Sequence, residues 1–74
     1  MNPPSDPDSF VTAFQASLTI NVSNRQDDAR RMAAEHWCCH NTKQPWGRRV
    51  PTRLGIVRFE FAVLNEGTMF RLSH

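Results

Sequence analysis

Side chains able to hold a metal or attack a substrate gather at one place in this chain, His36-Trp37-Cys38-Cys39-His40. On a helix His36 and His40 stand one turn apart on the same face, and Cys39 can reach that side. Zinc, however, draws ligand pairs from separate elements, such as a second C-x2-C or H-x3-H. The remaining histidine is His74, far along the chain, so the spacing points to no metal site and no cofactor. Nor do the thiols make convincing nucleophiles. They fall at the negative, C-terminal end of any helix through this segment, whereas reactive cysteines prefer helix N-termini. Adjacent cysteines also make a poor internal disulfide, because bonding neighbours strains the peptide between them.

No nucleophile elbow, phosphate loop, dinucleotide fingerprint or H-E-x-x-H motif is present, and the chain has three glycines in all. Its acids are not paired by any telling spacing. No enzymatic activity is expected. The richest segment is instead 42–53, TKQPWGRRVPTR, which carries Lys43, Arg48, Arg49 and Arg53 and no acid. Such cations suit phosphate contacts, and Trp46, held between Pro45 and Gly47, would offer a stacking surface. Trp and Arg also dominate protein–protein contact energies, so the loop suits a protein partner equally well. The bland alternative is a solvated loop whose Trp46 folds back onto the core.

The first 24 residues contain two acids and no base, and from Arg25 onward nine bases face five acids, a local net of +4. That charge favours an anionic partner only weakly. Residues 1–9, MNPPSDPDS, are acidic and Pro-rich without an apolar run, which excludes a secretory signal and reads as a disordered head. No apolar stretch approaches the roughly 18 residues of a membrane span. A cytoplasmic protein with reduced thiols and no membrane contact is the expectation.

The elements that must position these residues follow from periodicity. Phe14, Ala16, Leu18, Ile20 and Val22 alternate with Gln15, Ser17, Thr19, Asn21 and Ser23, a half-buried strand over 14–22. A helix follows. Ser23 or Asn24 can cap it, and Asp27 and Asp28 occupy the first turn, where the macrodipole favours acids. Ala29, Met32, Ala33, His36, Trp37 and His40 recur at helical spacing and predict the stripe facing the core. The helix is expected to end between Trp37 and Asn41. After the 42–53 loop, Val57, Phe59, Phe61 and Val63 mark a second strand over 54–64. Asn65 to Thr68 then reads as a turn and 69–73 as a third strand, in the register that pairs Val63 with Phe70 and makes one face wholly apolar.

The predicted fold is α+β in the order β-α-β-β, one helix packed on one face of a small three-stranded sheet, over residues 10–74 as a single domain. Strand order stays open. If the first two strands are neighbours they must be parallel with a right-handed crossover; if the third lies between them the sheet is antiparallel. A mixed or antiparallel sheet is expected. With one helix, the back face is left bare, carrying Leu54, Ile56, Ala62 and Leu64 beside Arg58 and Glu60, with Met69 from the third strand. So apolar a face marks a partner or dimer contact.

The strand LTINV, the helix DDARRMAAEHW and the hairpin after them resemble small phage-encoded inhibitors, including some anti-CRISPR proteins. The resemblance covers roughly residues 14–72, is one of arrangement, and transfers no functional residue. It implies a non-enzymatic protein that blocks a host protein or ribonucleoprotein complex by surface contact. The expected contact set is Lys43, Trp46, Arg48, Arg49, Arg53, Ile56, Arg58 and Leu64. The rival reading is a nucleic-acid-binding domain using the same basic loop, and a second copy of the chain is a further candidate partner.

Overall fold

The computed structural model of the protein describes residues 1–21, 23–50 and 55–74. After a 3₁₀ turn at Pro7–Ser9 come β1 (Phe14–Thr19), α1 (Arg25–Asn41), β2 (Trp46–Arg49), β3 (Ile56–Phe61) and α2 (Leu64–Ser73). The α+β class holds, with three strands in one antiparallel sheet of order β1-β3-β2 and helix packed on sheet. Two segments carry elements other than the expected ones. The 42–53 loop contains a strand, β2, and residues 64–73 form a helix in place of a turn and strand.

Each change has a physical reason. β2 is only four residues long and ends just before Val50 and Pro51, so no alternation announces it. Its interior glycine was the available signal, since a strand glycine often marks close approach of another backbone. A Cβ on Gly47 would sit 2.7 Å from the carbonyl oxygen of Ser5. In α2 the buried positions are Gly67 and Phe70, three residues apart. Phe70 packs on Phe59 and Phe61, with ring centroids 4.9 and 5.2 Å away. A strand would have shown Leu72 on the same face as Phe70, whereas the helix turns it out to solvent. The expected pairing of Val63 with Phe70 therefore does not form.

The strands at 14–19 and 56–61 are neighbours, yet antiparallel (Phe14↔Phe61 to Thr19↔Ile56). The condition that these two strands, if neighbours, must run parallel fails because β2 reverses the chain between them, and the sheet is antiparallel. β1 and β2 both run against β3, so they are parallel to each other, a β-α-β unit split by β3. The inner face of the sheet carries Ala16, Leu18, Val57, Phe59, Phe61 and Trp46, all buried. Burying each of the larger side chains stabilises by about 1.5–3 kcal/mol, so this face dominates the core.

α1 starts as expected: the Asn24 side chain accepts from the Gln26 N–H at 2.8 Å. Asp27 in its first turn accepts from the Asn21 N–H at 2.6 Å. That bond holds the Asp27 carboxyl below its ordinary range, against an opposing effect of burial and with help from Arg30. The helix ends at Asn41, within the expected span. Its orientation is a correction. The buried residues are Ala34 and Cys38, while Ala29, Met32, Ala33, His36 and His40 of the predicted stripe are exposed and Trp37 is half-buried. Small Ala34 and Cys38 let the helix approach the sheet closely. Arg31 and Glu35, expected on the wet side, are turned partly inward by an ion pair at 2.9 Å and by the pairing of Glu35 with Arg48 of β2.

The head does structural service. Residues 1–9, read from the sequence as disordered, lie along β2 on the side away from β3. The Ser5 N–H donates to the Trp46 carbonyl at 2.7 Å, and the Asn2 N–H to the Cys39 carbonyl at 2.8 Å. The Asn2 side chain donates to Thr42 Oγ1 (3.0 Å) and to the Gln44 carbonyl (2.8 Å), closing the C-terminal end of α1. No helix among the described residues is long and apolar enough to cross a membrane.

Candidate interaction surface

The basic segment is built quite differently from an open cationic loop. Trp46 is fully buried, with its ring stacked near Phe59 at a centroid distance of 6.4 Å and its indole N–H donated to the Asn2 carbonyl at 2.6 Å. The stacking surface expected of it does not exist; the ring has folded back onto the core. Arg48 pairs with Glu35. Arg49 reaches Asp8 at 2.6 Å and Glu60 at 2.5 Å. These bonds, Asp8 first and Glu60 second, push the Arg49 guanidinium further toward the charged form. Two of the loop's four cations are thus neutralised within the molecule. Arg53 and Leu54 lie outside the described residues.

Glu60 explains why the back of the sheet is not apolar. It lies on the outer face of the central strand, only 3% exposed, and a buried carboxylate must be satisfied. Thr12 Oγ1 (2.9 Å) and Arg49 Nε supply its partners. Gln15, Ser17 and Thr19 share that face, with Ile56 and Arg58 half-buried among them. Leu64 and Met69 have left the sheet altogether for α2, and Ala62 follows the end of β3. Among the described residues the bare apolar sheet face expected from the sequence is therefore absent. Arg58 has no ion-pair partner among the described residues.

The Cys-His cluster is divided by the helix it sits on. Cys38 is fully buried and its thiol is pushed up to about 12, chiefly by burial, then by Cys39 and Glu66. His36 and His40 are exposed, with ring centroids 4.2 Å apart. Among the described residues no three metal-ligating side chains come together.

What the sequence reading missed is α2. Glu66 in its first turn accepts from the N–H groups of Lys43 (2.7 Å) and Gln44 (3.3 Å), so Lys43 is held next to the helix start and Leu64. On the side opposite Phe70, Met69 is 55% and Leu72 84% exposed, and Leu64 at the flank is 60% exposed. The available signal was the spacing of Leu64, Met69 and Leu72, which falls on one side of a helix and is scattered on a strand. Comparison with protein-family models, curated proteins and solved structures found no match. The surface must therefore speak for itself. Of the expected contact set, the structure holds the Lys43 N–H on Glu66 in the first turn of α2, leaves Leu64 exposed at that helix start and Ile56 and Arg58 half-buried on the outer sheet face, and engages Trp46 in the core and Arg48 and Arg49 in ion pairs.

Proposed function

We propose that this is a small non-enzymatic, cytoplasmic interaction protein that covers a surface of a partner protein or ribonucleoprotein complex, as the anti-CRISPR-like arrangement implies. The outward side of α2 carries this reading. A ten-residue helix that buries little beyond Phe70 spends its remaining large apolar side chains, Leu64, Met69 and Leu72, on solvent. Exposed apolar groups grouped on one helix face are what a helix-in-groove contact uses. Lys43 beside the helix start adds a polar rim. The nucleic-acid alternative is weaker, since Trp46 is buried and Arg48 and Arg49 are paired.

The test is affinity capture from a lysate of the host cell with the wild-type chain and with the double variant Met69→Asp/Leu72→Asp. Captured partners should be lost in the variant while its circular dichroism and thermal midpoint stay unchanged. A variant that folds and still captures the same partners refutes the reading.

A further inference from the structure

The two edges of the sheet are treated unequally. On β2 the outward main-chain groups belong to Trp46 and Arg48, and the head takes the Trp46 carbonyl through the Ser5 N–H. β1 is the other edge. The Ile20 N–H donates to the Gly55 carbonyl, which sets the phase of the β1–β3 ladder. Phe14, Ala16 and Leu18 therefore turn their N–H and C=O groups to β3, and Gln15, Ser17 and Thr19 turn theirs outward. No element of the described residues pairs with that side. Nothing in the composition of FQASLT guards it either: there is no proline, glycine or charge, the usual residues that blunt an exposed edge.

Beside this edge runs a groove of about 390 Å³, floored by Ala16, Leu18 and Phe70 and walled by Arg71 of α2 and by His74, which caps that helix. A second hollow of about 260 Å³ continues it past His74 to Ala33 and Arg30. No acidic side chain lines either one. On the outer face Arg58 stands directly across from the short side chain of Ser17. Neither Arg58 nor Arg71 has an ion-pair partner among the described residues.

We propose that the free edge of β1 takes an extended, acidic segment of a partner protein as a fourth strand. Its alternate apolar side chains enter the groove over Ala16, Leu18 and Phe70, and its acids, turned to the outer face, meet Arg58 across Ser17. The molecule carries its own version of this contact on the opposite edge, where the acidic head joins β2 by one main-chain hydrogen bond and the Asp8–Arg49 pair. A second copy of the chain fits less well. Its β1 is uncharged, and pairing β1 with β1 brings the two copies' Arg71 and His74 toward each other. The proposal uses a different surface from the outward side of α2 and does not rest on it.

The probe is a fluorescent peptide of about ten residues alternating valine and glutamate, long enough to span the edge strand. Fluorescence anisotropy should show it binding at least ~10-fold more tightly than its valine–lysine counterpart at low salt, where charge contributes most. Amide resonances of Gln15, Ser17 and Thr19 should move on binding. Ser17→Pro removes an N–H that the sheet does not use, a substitution edge strands tolerate, and should abolish binding. Arg58→Gln, at a half-buried position, should weaken binding ~10-fold, about 1.4 kcal/mol. Met69→Asp/Leu72→Asp should leave peptide binding intact, which separates this site from the α2 face. Equal binding of both peptides, no binding, or shifts confined elsewhere would overturn the proposal. So would self-association of the chain through β1.

Discussion

Replacing glycine inside a helix by alanine normally stabilises a protein, and Gly67 of α2 offers the choice between that rule and packing. The propensity gain is about 0.8–1 kcal/mol. Against it, a Cβ at Gly67 would lie 2.5 Å from Phe14 Cγ and 2.6 Å from Phe14 Cβ, atoms near the strand backbone that cannot swing far. Phe14 would have to leave its rotamer and its edge-on contact with Phe61, centroids 6.5 Å apart. Overpacking of this kind costs about 1–3 kcal/mol, and the lost aromatic contact about 0.5–1.5 kcal/mol more. Packing wins, and Gly67→Ala should destabilise by about 1–2 kcal/mol. In a domain this small that lowers the thermal midpoint by roughly 4–16 °C. The decisive measurement is a double-mutant cycle with Phe14→Ala, followed by urea titration. In the Phe14→Ala background the same Gly67→Ala change should become neutral or stabilising, giving a coupling energy of about 2 kcal/mol. A coupling below about 0.5 kcal/mol, or a stabilising Gly67→Ala in the wild type, would refute the seating of α2 on β1.

Two further outcomes follow from the buried thiol and the half-sheltered histidine. Under native conditions a thiol reagent should modify Cys39 and leave Cys38 untouched until denaturant is added, because Cys38 is buried and stays protonated up to about 12; peptide mapping after brief alkylation reads the result. His74 is held below its free value of 6.5, first by desolvation against Trp37 and Phe70 and second by Arg30. Protonation therefore favours the unfolded chain, so stability should be full above pH 6.5, fall as pH drops through that value, and level off below the folded-state pKa. Urea midpoints at pH 7.5 and 5.5 should differ more in the wild type than in His74→Phe.

The legible parts of this fold are those where one physical signal prevailed. The alternation expected over 14–22 outweighs the helical spacing of Phe10, Phe14 and Leu18, and β1 forms within it, over Phe14–Thr19. Asn24 followed by Asp27 and Asp28 marks the start of α1 and Asn41 its end. The stripe of α1 could not be read, because Ala29, Met32, Ala33, His36 and His40 are too weakly apolar to outbid an ion-pair chain from Arg31 through Glu35 to Arg48. That chain depends on β2, which has no periodicity of its own. In α2 a single buried aromatic gives no repeat, and Gly67 signalled a turn where the molecule uses it for close approach. The contact residues fared according to the same logic: Lys43 and Leu64 stayed at the surface, whereas Trp46 was drawn into the core with its N–H on Asn2, and Arg49, though exposed, was paired by Asp8 and Glu60.

The sheet's strand order also says something about how the chain comes to be made. β3 lies at the centre yet is the last strand to leave the ribosome. β1, synthesised first, pairs with residues about 40 positions downstream. Until Phe61 has emerged neither outer strand has its sheet partner, and beyond its helix the nascent molecule has only the head's bonds to β2 to draw on. Among the described residues the sheet neighbour of β1 is β3, so β1 must wait for β3 to be made before it can dock. A message cut short anywhere before Ile56 therefore yields a product with no sheet at all, rather than a partly working one.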